Sequence, residues 1–323
     1  MIRILANDGI EESGKKALAA AGFELIDARV AQDQLADYLR SEGISGLLVR
    51  SATQVRKELI DACPGLKLIG RGGVGMDNID VEYARSKGLH VVNTPAASSD
   101  SVAELVLAHL LGLLRFLPQS NREMPLSGET HFKELKKAYA AGIEAKGKTL
   151  GIVGFGRIGK ALGVRAVGLG MNVRIADRQP GEVHEVVWTL GNGQSIDLRF
   201  VSEPLESVLA HSDFVSVHVP GAGDKPLLGT AELGAMKRGA ILINAARGGV
   251  VDEMALLAAL ESGQLSGAAL DVFVNEPEPA VQVLMHDKIS LTPHIGASTA
   301  EAQERIGSEL ASLIVEALGT VRA

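Results

Sequence analysis

Residues Lys148 to Asp177 read KTLGIVGFGRIGKALGVRAVGLGMNVRIAD. Thr149–Val153 is a short run of apolar and small residues ended at once by a glycine turn, the mark of a buried strand. Gly154, Gly156 and Gly159 then set G-x-G-x-x-G, Arg157–Gly168 keeps helical spacing, and Asn172–Ala176 is a second strand ending at Asp177. The stretch is a βαβ unit of about 30 residues. Gly154 permits the tight turn, Gly156 leaves room for a pyrophosphate against the backbone, and Gly159 lets helix and strand approach closely. A bound anion would meet the unpaired N–H groups and the positive end of the helix dipole. Asp177, at the end of the next strand, is placed to accept hydrogen bonds from a ribose diol and to repel an extra 2′-phosphate. The stretch therefore predicts NAD in preference to NADP, a preference that Arg178 beside it weakens.

On either side of this unit the chain keeps alternating strand and helix. Short apolar strands are predicted at Ile2–Ala6, Glu24–Ile26, Gly46–Val49, Leu66–Ile69 and His90–Val92, and again at Phe214–Val219, Ala240–Asn244, Gly267–Asp271 and Ile289–Thr292. Strands separated by helix-length segments imply α/β architecture with parallel sheets covered on both faces. Two long helices are expected to join two domains. One starts near Ser98, with Ser101 and Glu104 in capping-box spacing; the other starts at Ser298 and Thr299, with Ser298 and Glu301 in the same spacing. The expected division is residues 1–97 with 299–323 as one doubly wound domain and 98–298 as the dinucleotide-binding one, with a cleft between them. The stretch from Leu117 to Lys146, with Lys133, Lys136 and Lys137, reads as loop plus one short helix. The stretch after Asp177 to about Pro204 reads as irregular; its part from Gly181 to Arg199 includes the sole tryptophan, Trp188.

Composition narrows the function. A chain of 323 residues, 46% hydrophobic and 22% charged, has room for two cored domains. Its net charge of −7 argues against a nucleic-acid surface, which needs clustered cations. Cys63 is the only cysteine, so an intrachain disulfide is impossible and a reducing cytoplasm is the expected compartment. The chain opens on a strand without a leader, and its most apolar helix, Leu105 to Leu117, is too short and mixed to span a bilayer. Cys/His clusters with metal spacing and G-x-S-x-G are both missing, so neither metal nor serine-nucleophile chemistry is supported.

Polar residues interrupt apolar surroundings at predicted strand ends: His218, Arg247, Asp271, Glu276 and His294. A doubly wound sheet lines such ends along one edge, where ligands bind. Hydride transfer at a carbinol carbon needs a base for the hydroxyl proton and a cation for the substrate's carboxylate or carbonyl oxygen. His294, whose type titrates near pH 6.5, suits the first task. Glu276 would hydrogen-bond its other ring nitrogen and stabilise the charged ring, and Arg247 could grip a carboxylate with two parallel bonds. Taken singly, His294 after Pro293 also fits a strand-end cap, Glu276 an exposed turn residue and Arg247 a loop cation. His218 looks structural or cofactor-facing. His109, on an apolar helix, reads as a satisfied core histidine. Arg50 with Ser51, and Arg71 with the GGVG turn (Gly72, Gly73, Val74, Gly75), are candidates to hold a small anion, or are solvated loop cations.

The strings GRGGVGMDNID, VGFGRIGKA, INAARGGVVDE, AALDVFVNEPEP and TPHIGAST, in this order along nearly the whole chain, resemble those of the NAD-dependent D-2-hydroxyacid dehydrogenases. The resemblance implies a flavodoxin-like substrate domain, a Rossmann domain with NAD, and Arg247, Glu276 and His294 as the catalytic set. It also implies cofactor contacts at Gly154, Gly156, Arg157, Ile158, Gly159, Asp177, His218, Val219, Pro220, Ala245, Ala246, Asp271, Gly296 and Val74, with Asp271 on the nicotinamide carboxamide. Arg50, Ser51, Gly73, Val74 and Gly75 would face a small anionic 2-hydroxy or 2-oxo acid, and the protein would be a homodimer joined through the first long helix. The expected reaction is oxidation of D-3-phosphoglycerate in serine biosynthesis; glyoxylate or hydroxypyruvate reduction is the alternative, and an NAD-sensing corepressor-like role the reading from another class. Several departures from the phosphoglycerate-oxidising pattern stand out. Val74 replaces a frequent threonine, lysines 133, 136 and 137 stand where an arginine is expected, and residues 181–199 form a longer segment. The chain also ends soon after the second long helix, so inhibition by serine is not expected.

Overall fold

The computed structural model describes residues 2–221, 223 and 225–320; Met1 and residues 321–323, which the expected division assigns to the first domain, lie outside them. The chain divides into two compact units, Met1–Ser99 with Ala297–Ala323, and Asp100–Gly296.

The first unit is built on β1 (Arg3–Ala6), β2 (Glu24–Asp27), β3 (Gly46–Val49), β4 (Leu68–Arg71) and β5 (His90–Asn93), in the spatial order β2-β1-β3-β4-β5 with every pair parallel. Between them run α1 (Glu12–Ala20), α2 (Leu35–Ser41), α3 (Lys57–Ala62) and α4 (Val81–Ser86). A strand covered on both faces reads as an apolar run, as in β3, all four of whose residues are buried. One core forms around Leu5, Leu35, Leu47, Val49 and Ile69, the other around Ile4, Leu18, Leu48 and Leu68.

The second unit begins with α5 (Ser99–Leu114), α6 (Leu117–Ser127) and α7 (Phe132–Ala138). Its chain then alternates β6 (Thr149–Val153), α8 (Arg157–Gly168), β7 (Asn172–Ala176), a hairpin of β8 (Val183–Thr189) and β9 (Ser195–Val201), α9 (Leu205–His211) and β10 (Phe214–Val217). It continues through α10 (Thr230–Ala235), β11 (Ala240–Asn244), α11 (Glu253–Glu261), β12 (Leu265–Leu270), α12 (Val281–Leu284) and β13 (Ile289–Leu291). The main sheet is parallel, in the order β13-β12-β11-β10-β6-β7. From β6 the chain proceeds outward to β7, then returns to place β10 on the other side of β6. That reversal is the switch point at which open α/β sheets bind ligands. One face of the sheet buries Val102, Val106, Leu110 and Leu113 of α5 together with Leu162 of α8.

The last helix, α13 (Ala300–Leu318), belongs to the first unit, where Leu310, Ala311 and Ile314 join the core of Ile4 and Leu18. Ile306, Leu310 and Ile314 recur every four residues and are at most 3% exposed, so each contributes about 1.5–3 kcal/mol of burial.

The structure corrects several expectations. Residues 181–204 are not irregular: β8 and β9 pair antiparallel from Val183↔Val201 to Thr189↔Ser195. Phe200 and His184 pack their rings on Phe155 of the glycine turn, with centroids 4.9 and 5.3 Å away. Residues 117–146 hold two helices, one starting with proline in its first turn and containing Pro125, which made it look like loop. Ser101 lies inside α5 and cannot cap it. The cap of α13 is Thr299, whose side chain accepts from the amide of Ala302, and not Ser298. Arg71 ends β4 instead of following it, because that strand runs two residues later than its apolar pattern suggests. Among the described residues no single helix is long and apolar enough to cross a membrane; α5 and α6 meet that test only as a pair bent by 59°.

Candidate active site

The glycine turn lies at the switch point of the second sheet. Gly154 has φ +92°, and a Cβ there would lie 2.7 Å from the carbonyl oxygen of His218 and 2.9 Å from Val219 Cγ1. A Cβ on Gly159 would be 2.4 Å from the carbonyl oxygen of Gly154, so strand and helix touch through hydrogen alone. At Gly156, by contrast, an added Cβ would meet nothing within 4 Å. This open backbone caps α8 without a side-chain hydrogen bond, leaving first-turn N–H groups for an anion. The Asp177 carboxylate accepts from the amides of Phe155 (3.1 Å) and Arg178 (2.8 Å), which fixes it against the turn. These features fit a dinucleotide: open backbone for its diphosphate and an acid one strand away for a ribose. Arg157 is exposed and Ile158 half-buried in the first turn of α8, while Pro220 is exposed beyond β10. His218 Nε2 lies 2.8 Å from Ser216 Oγ, and burial pushes the ring's pKa down to about 4, so it is neutral near pH 7.

Beyond β12 and β13 the sequence-predicted residues come together. His294 Nδ1 lies 2.7 Å from Glu276 Oε2, and Glu276 Oε1 accepts from the amide of Phe273 at 2.9 Å. Both side chains remain accessible, at 46% and 35%. Because the carboxylate accepts, neutral His294 carries its proton on Nδ1 and presents Nε2 as a base. Its φ is +54°, a left-handed conformation that costs a non-glycine residue about 1–2 kcal/mol. Asp271 offsets that strain. It is 2% exposed, and its oxygens accept from the amides of Ile295 and Gly296, each at 2.8 Å, and from the Thr292 hydroxyl at 2.7 Å. The carboxylate expected on a carboxamide thus also shapes the loop that carries the histidine.

Arg247 follows β11 on a turn held by Asn244. The Asn244 side chain donates to the carbonyl of Arg247 (3.0 Å) and accepts from the amide of Ala246 (3.1 Å); Ala245 and Ala246 are buried. Arg247 Nη1 donates to the carbonyl of Ala246 at 2.6 Å. The next residue brings the two loops into contact: a Cβ on Gly248 would sit 1.8 Å from the carbonyl oxygen of Phe273, the residue whose amide Glu276 holds. Only glycine permits this approach.

In the first unit, Arg50 Nη2 pairs with Glu11 at 3.3 Å, while its amide donates to Asp8 at 2.7 Å. Ser51 is exposed beside it. Arg71 folds over the glycine turn, Nη1 donating to the carbonyl of Gly72 at 2.9 Å; a Cβ on Gly73 would collide with that guanidinium. Gly75 is half-buried, and Val74, 37% exposed, has its carbonyl held by Asn93 at 2.7 Å. Asn244 and Thr292 are the positioning residues that sequence reasoning missed; a buried asparagine closing an all-apolar strand was the available signal for the first. Among the described residues no group of three His, Cys, Asp or Glu side chains is arranged to hold a metal ion.

A parallel 2-1-3-4-5 unit, followed by a doubly wound sheet with a glycine turn at its switch point and a His–Glu pair at its strand ends, defines a two-unit α/β nucleotide-binding protein equipped for proton transfer. Residues 107–296 match the family described as D-isomer specific 2-hydroxyacid dehydrogenase, NAD binding domain. The chain belongs to that family, and the matched region carries its NAD-binding domain. It is 39% identical over 320 residues, 98% of its length, to D-3-phosphoglycerate dehydrogenase of Methanocaldococcus jannaschii, of which it covers 58%. It is 37% identical to hydroxypyruvate reductase of Thermotoga maritima, covering 98% of each chain. The chain spans somewhat more than half the length of several curated phosphoglycerate dehydrogenases it matches. Among solved structures, the NADPH-dependent glyoxylate/hydroxypyruvate reductase of Sinorhizobium meliloti in complex with citrate superposes with a TM-score of 0.79 at 27% identity, covering 100% of this chain and 97% of that one.

Proposed function

We propose that the protein is an NAD-dependent D-2-hydroxyacid dehydrogenase that oxidises D-3-phosphoglycerate to 3-phosphohydroxypyruvate, the entry to serine synthesis. The observation that carries the reaction type is the 2.7 Å His294–Glu276 pair on the ligand edge of the dinucleotide-binding sheet. In this reading His294 Nε2 takes the substrate hydroxyl proton, and Glu276 stabilises the ring as it becomes positive. When bound, NAD supplies the hydride acceptor. Arg247 orients the substrate's carboxylate or carbonyl oxygen, and Gly154, Gly156, Arg157, Ile158, Gly159 and Asp177 hold the dinucleotide. Val74, His218, Val219, Pro220, Ala245, Ala246, Asp271 and Gly296 complete the cofactor contacts, while Arg50, Ser51, Gly73, Val74 and Gly75 are proposed to meet the acid.

The phosphoglycerate substrate is supported by several relatives of that name at 37–39% identity. A second reading, reduction of hydroxypyruvate or glyoxylate, is favoured by the Thermotoga relative that the chain matches end to end. A homodimer is part of the proposal, supported by exposed apolar side chains on α5, α6 and α7, among them Leu111, Leu117, Leu126 and Phe132. A cytoplasmic setting is supported by the single cysteine, Cys63, which is buried and reduced.

The test is initial-rate spectrophotometry at about 340 nm, where reduced nicotinamides absorb, with NAD(H) and NADP(H) against D-3-phosphoglycerate, D-glycerate, hydroxypyruvate and glyoxylate. Highest kcat/KM for the phosphorylated acid is expected. Preference for an unphosphorylated one hands the assignment to the second reading, and silence with all four removes the dehydrogenase assignment.

A further inference from the structure

Behind the His294 loop lies a run of four hydrogen-bonded side chains, from Ser290 on β13 through His109 on α5 to Thr292 and Asp271. His109 Nδ1 lies 2.8 Å from Ser290 Oγ, His109 Nε2 lies 3.0 Å from Thr292 Oγ1, and Thr292 Oγ1 lies 2.7 Å from Asp271 Oδ1. Its direction follows from chemistry. An ionised carboxylate only accepts, so the Thr292 hydroxyl spends its hydrogen on Asp271 and must itself accept from His109. His109 therefore carries its proton on Nε2, and Nδ1 accepts from Ser290. The ring is buried, at 6% exposure, and desolvation holds its pKa below the ordinary histidine value, which keeps it neutral as this arrangement needs.

The far end of the run is the Asp271 carboxylate, which holds the amides of the two residues immediately after His294. Backbone and carboxylate are so close that a Cβ on Gly296 would stand 3.0 Å from Asp271 Oδ2. The Thr292 hydroxyl that donates to this carboxylate accepts in turn from His109, so the imidazole restrains the rotation of the hydroxyl that holds Asp271.

We propose that His109 is a positioning residue: acting through Thr292 and Asp271, it locks the backbone that aims His294. The proposal rests on His294 being the group that moves the proton, and His109 itself touches neither substrate nor cofactor.

Four single variants, His109→Leu, His109→Gln, Thr292→Val and Thr292→Ser, and one double variant test it. Leucine removes both ring nitrogens, whereas glutamine can return an N–H to Thr292. For His109→Leu, kcat is expected to fall about tenfold or more, because a small misplacement of a reacting group has that effect, with substrate KM and NADH Kd within about twofold of the parent. Hydrogen exchange at the amides of Ile295 and Gly296 should accelerate by about the same factor. His109→Gln and Thr292→Ser should recover most of what His109→Leu and Thr292→Val lose. The double variant His109→Leu/Thr292→Val should be no worse than Thr292→Val alone, as for members of one network. A lowered Tm with kcat and both exchange rates unchanged, or losses that glutamine does not recover, overturns the proposal. If the parent protein turns over no acid, the functional reading fails, whereas unaltered exchange in His109→Leu defeats the locking role by itself.

Discussion

Asp8, just past β1, accepts from the amides of Arg50 and Thr53 and from the Thr53 hydroxyl. Asp271, just past β12, accepts from the amides of Ile295 and Gly296 and from the Thr292 hydroxyl. The two units thus use the same device, one carboxylate gathering two amides and a threonine, to fix a loop at a strand end. Behind each threonine stands a buried neutral donor, the Asn7 side-chain amide on Thr53 at 2.8 Å and His109 on Thr292 at 3.0 Å; what lies beside each carboxylate differs. Asp8, with 3% of its side chain exposed, faces Arg29 at 3.6 Å, a cation 71% in water, and the guanidinium on its loop is paired with Glu11. Asp271 is backed by a buried neutral imidazole, and its loop carries a histidine at φ +54°. A clamp beside a solvated cation suits a long arginine that finds its own angle. A clamp held by neutral donors suits a short side chain that must point one way.

The sharpest way to break this contrast is to remove the side chain each clamp presents. His294→Ala should lower kcat by about 10²–10⁴-fold with NADH Kd nearly unchanged, while Arg50→Ala should raise the substrate KM about tenfold and spare kcat. Steady-state kinetics with fluorescence titration of NADH decides it, and loss of NADH binding in His294→Ala would contradict the proton-transfer role.

A smaller effect separates the units by acid. The two histidines held below their ordinary range by burial, His109 and His218, both lie in the Asp100–Gly296 unit. His218 takes a proton near pH 4 in the folded chain and near pH 6.5 in the unfolded chain. Between those values the unfolded state binds the extra proton. Stability that is complete above about pH 6.5 is therefore lost as pH falls towards 4, by up to about 3 kcal/mol. Urea unfolding from pH 7 to 4 should trace that loss, and His218→Gln should flatten it.

The smallest effect compares the clamps directly. In Asp8→Asn and Asp271→Asn an acceptor becomes an N–H donor facing other donors, at a cost of about 1–3 kcal/mol each. Asp8→Asn should act on KM and Asp271→Asn on kcat; equal effects on both constants would mean that the clamps do not differ in what they hold.

How much of this was legible in the sequence depends on whether the determinant is local. The bounds of β6, α8 and β7 follow from Lys148–Asp177 alone, because Gly154 closes β6, Gly168 and Gly170 close α8, and Asp177 ends the apolar run of β7. The family strings likewise carried Arg247, Glu276 and His294, and the 2.7 Å pair brings the last two together. The β8–β9 hairpin escaped because its alternation is mixed: His184 points inward, and Val183 and Val187, at 42% and 65% exposure, point out. Its turn nevertheless contains Asn192-Gly193, with Gly193 at φ +83°, a local signal that was there to be read. The Asp271 clamp had no local signal, since its donors lie 21 to 25 positions further along and mean nothing until β12 and β13 pair.

That hairpin also places the chain's single tryptophan. Trp188 lies across Gly168, where a Cβ would be 2.7 Å from the indole, at the last turn of the helix whose first turn faces the dinucleotide position. A helix of 12 residues is about 18 Å long, so the only indole lies about that far from the first turn of α8, where the dinucleotide is proposed to sit. One native fluorophore therefore stands at the far end of the helix that faces the cofactor, and a change in its emission on adding NADH is the expected label-free signal of occupancy.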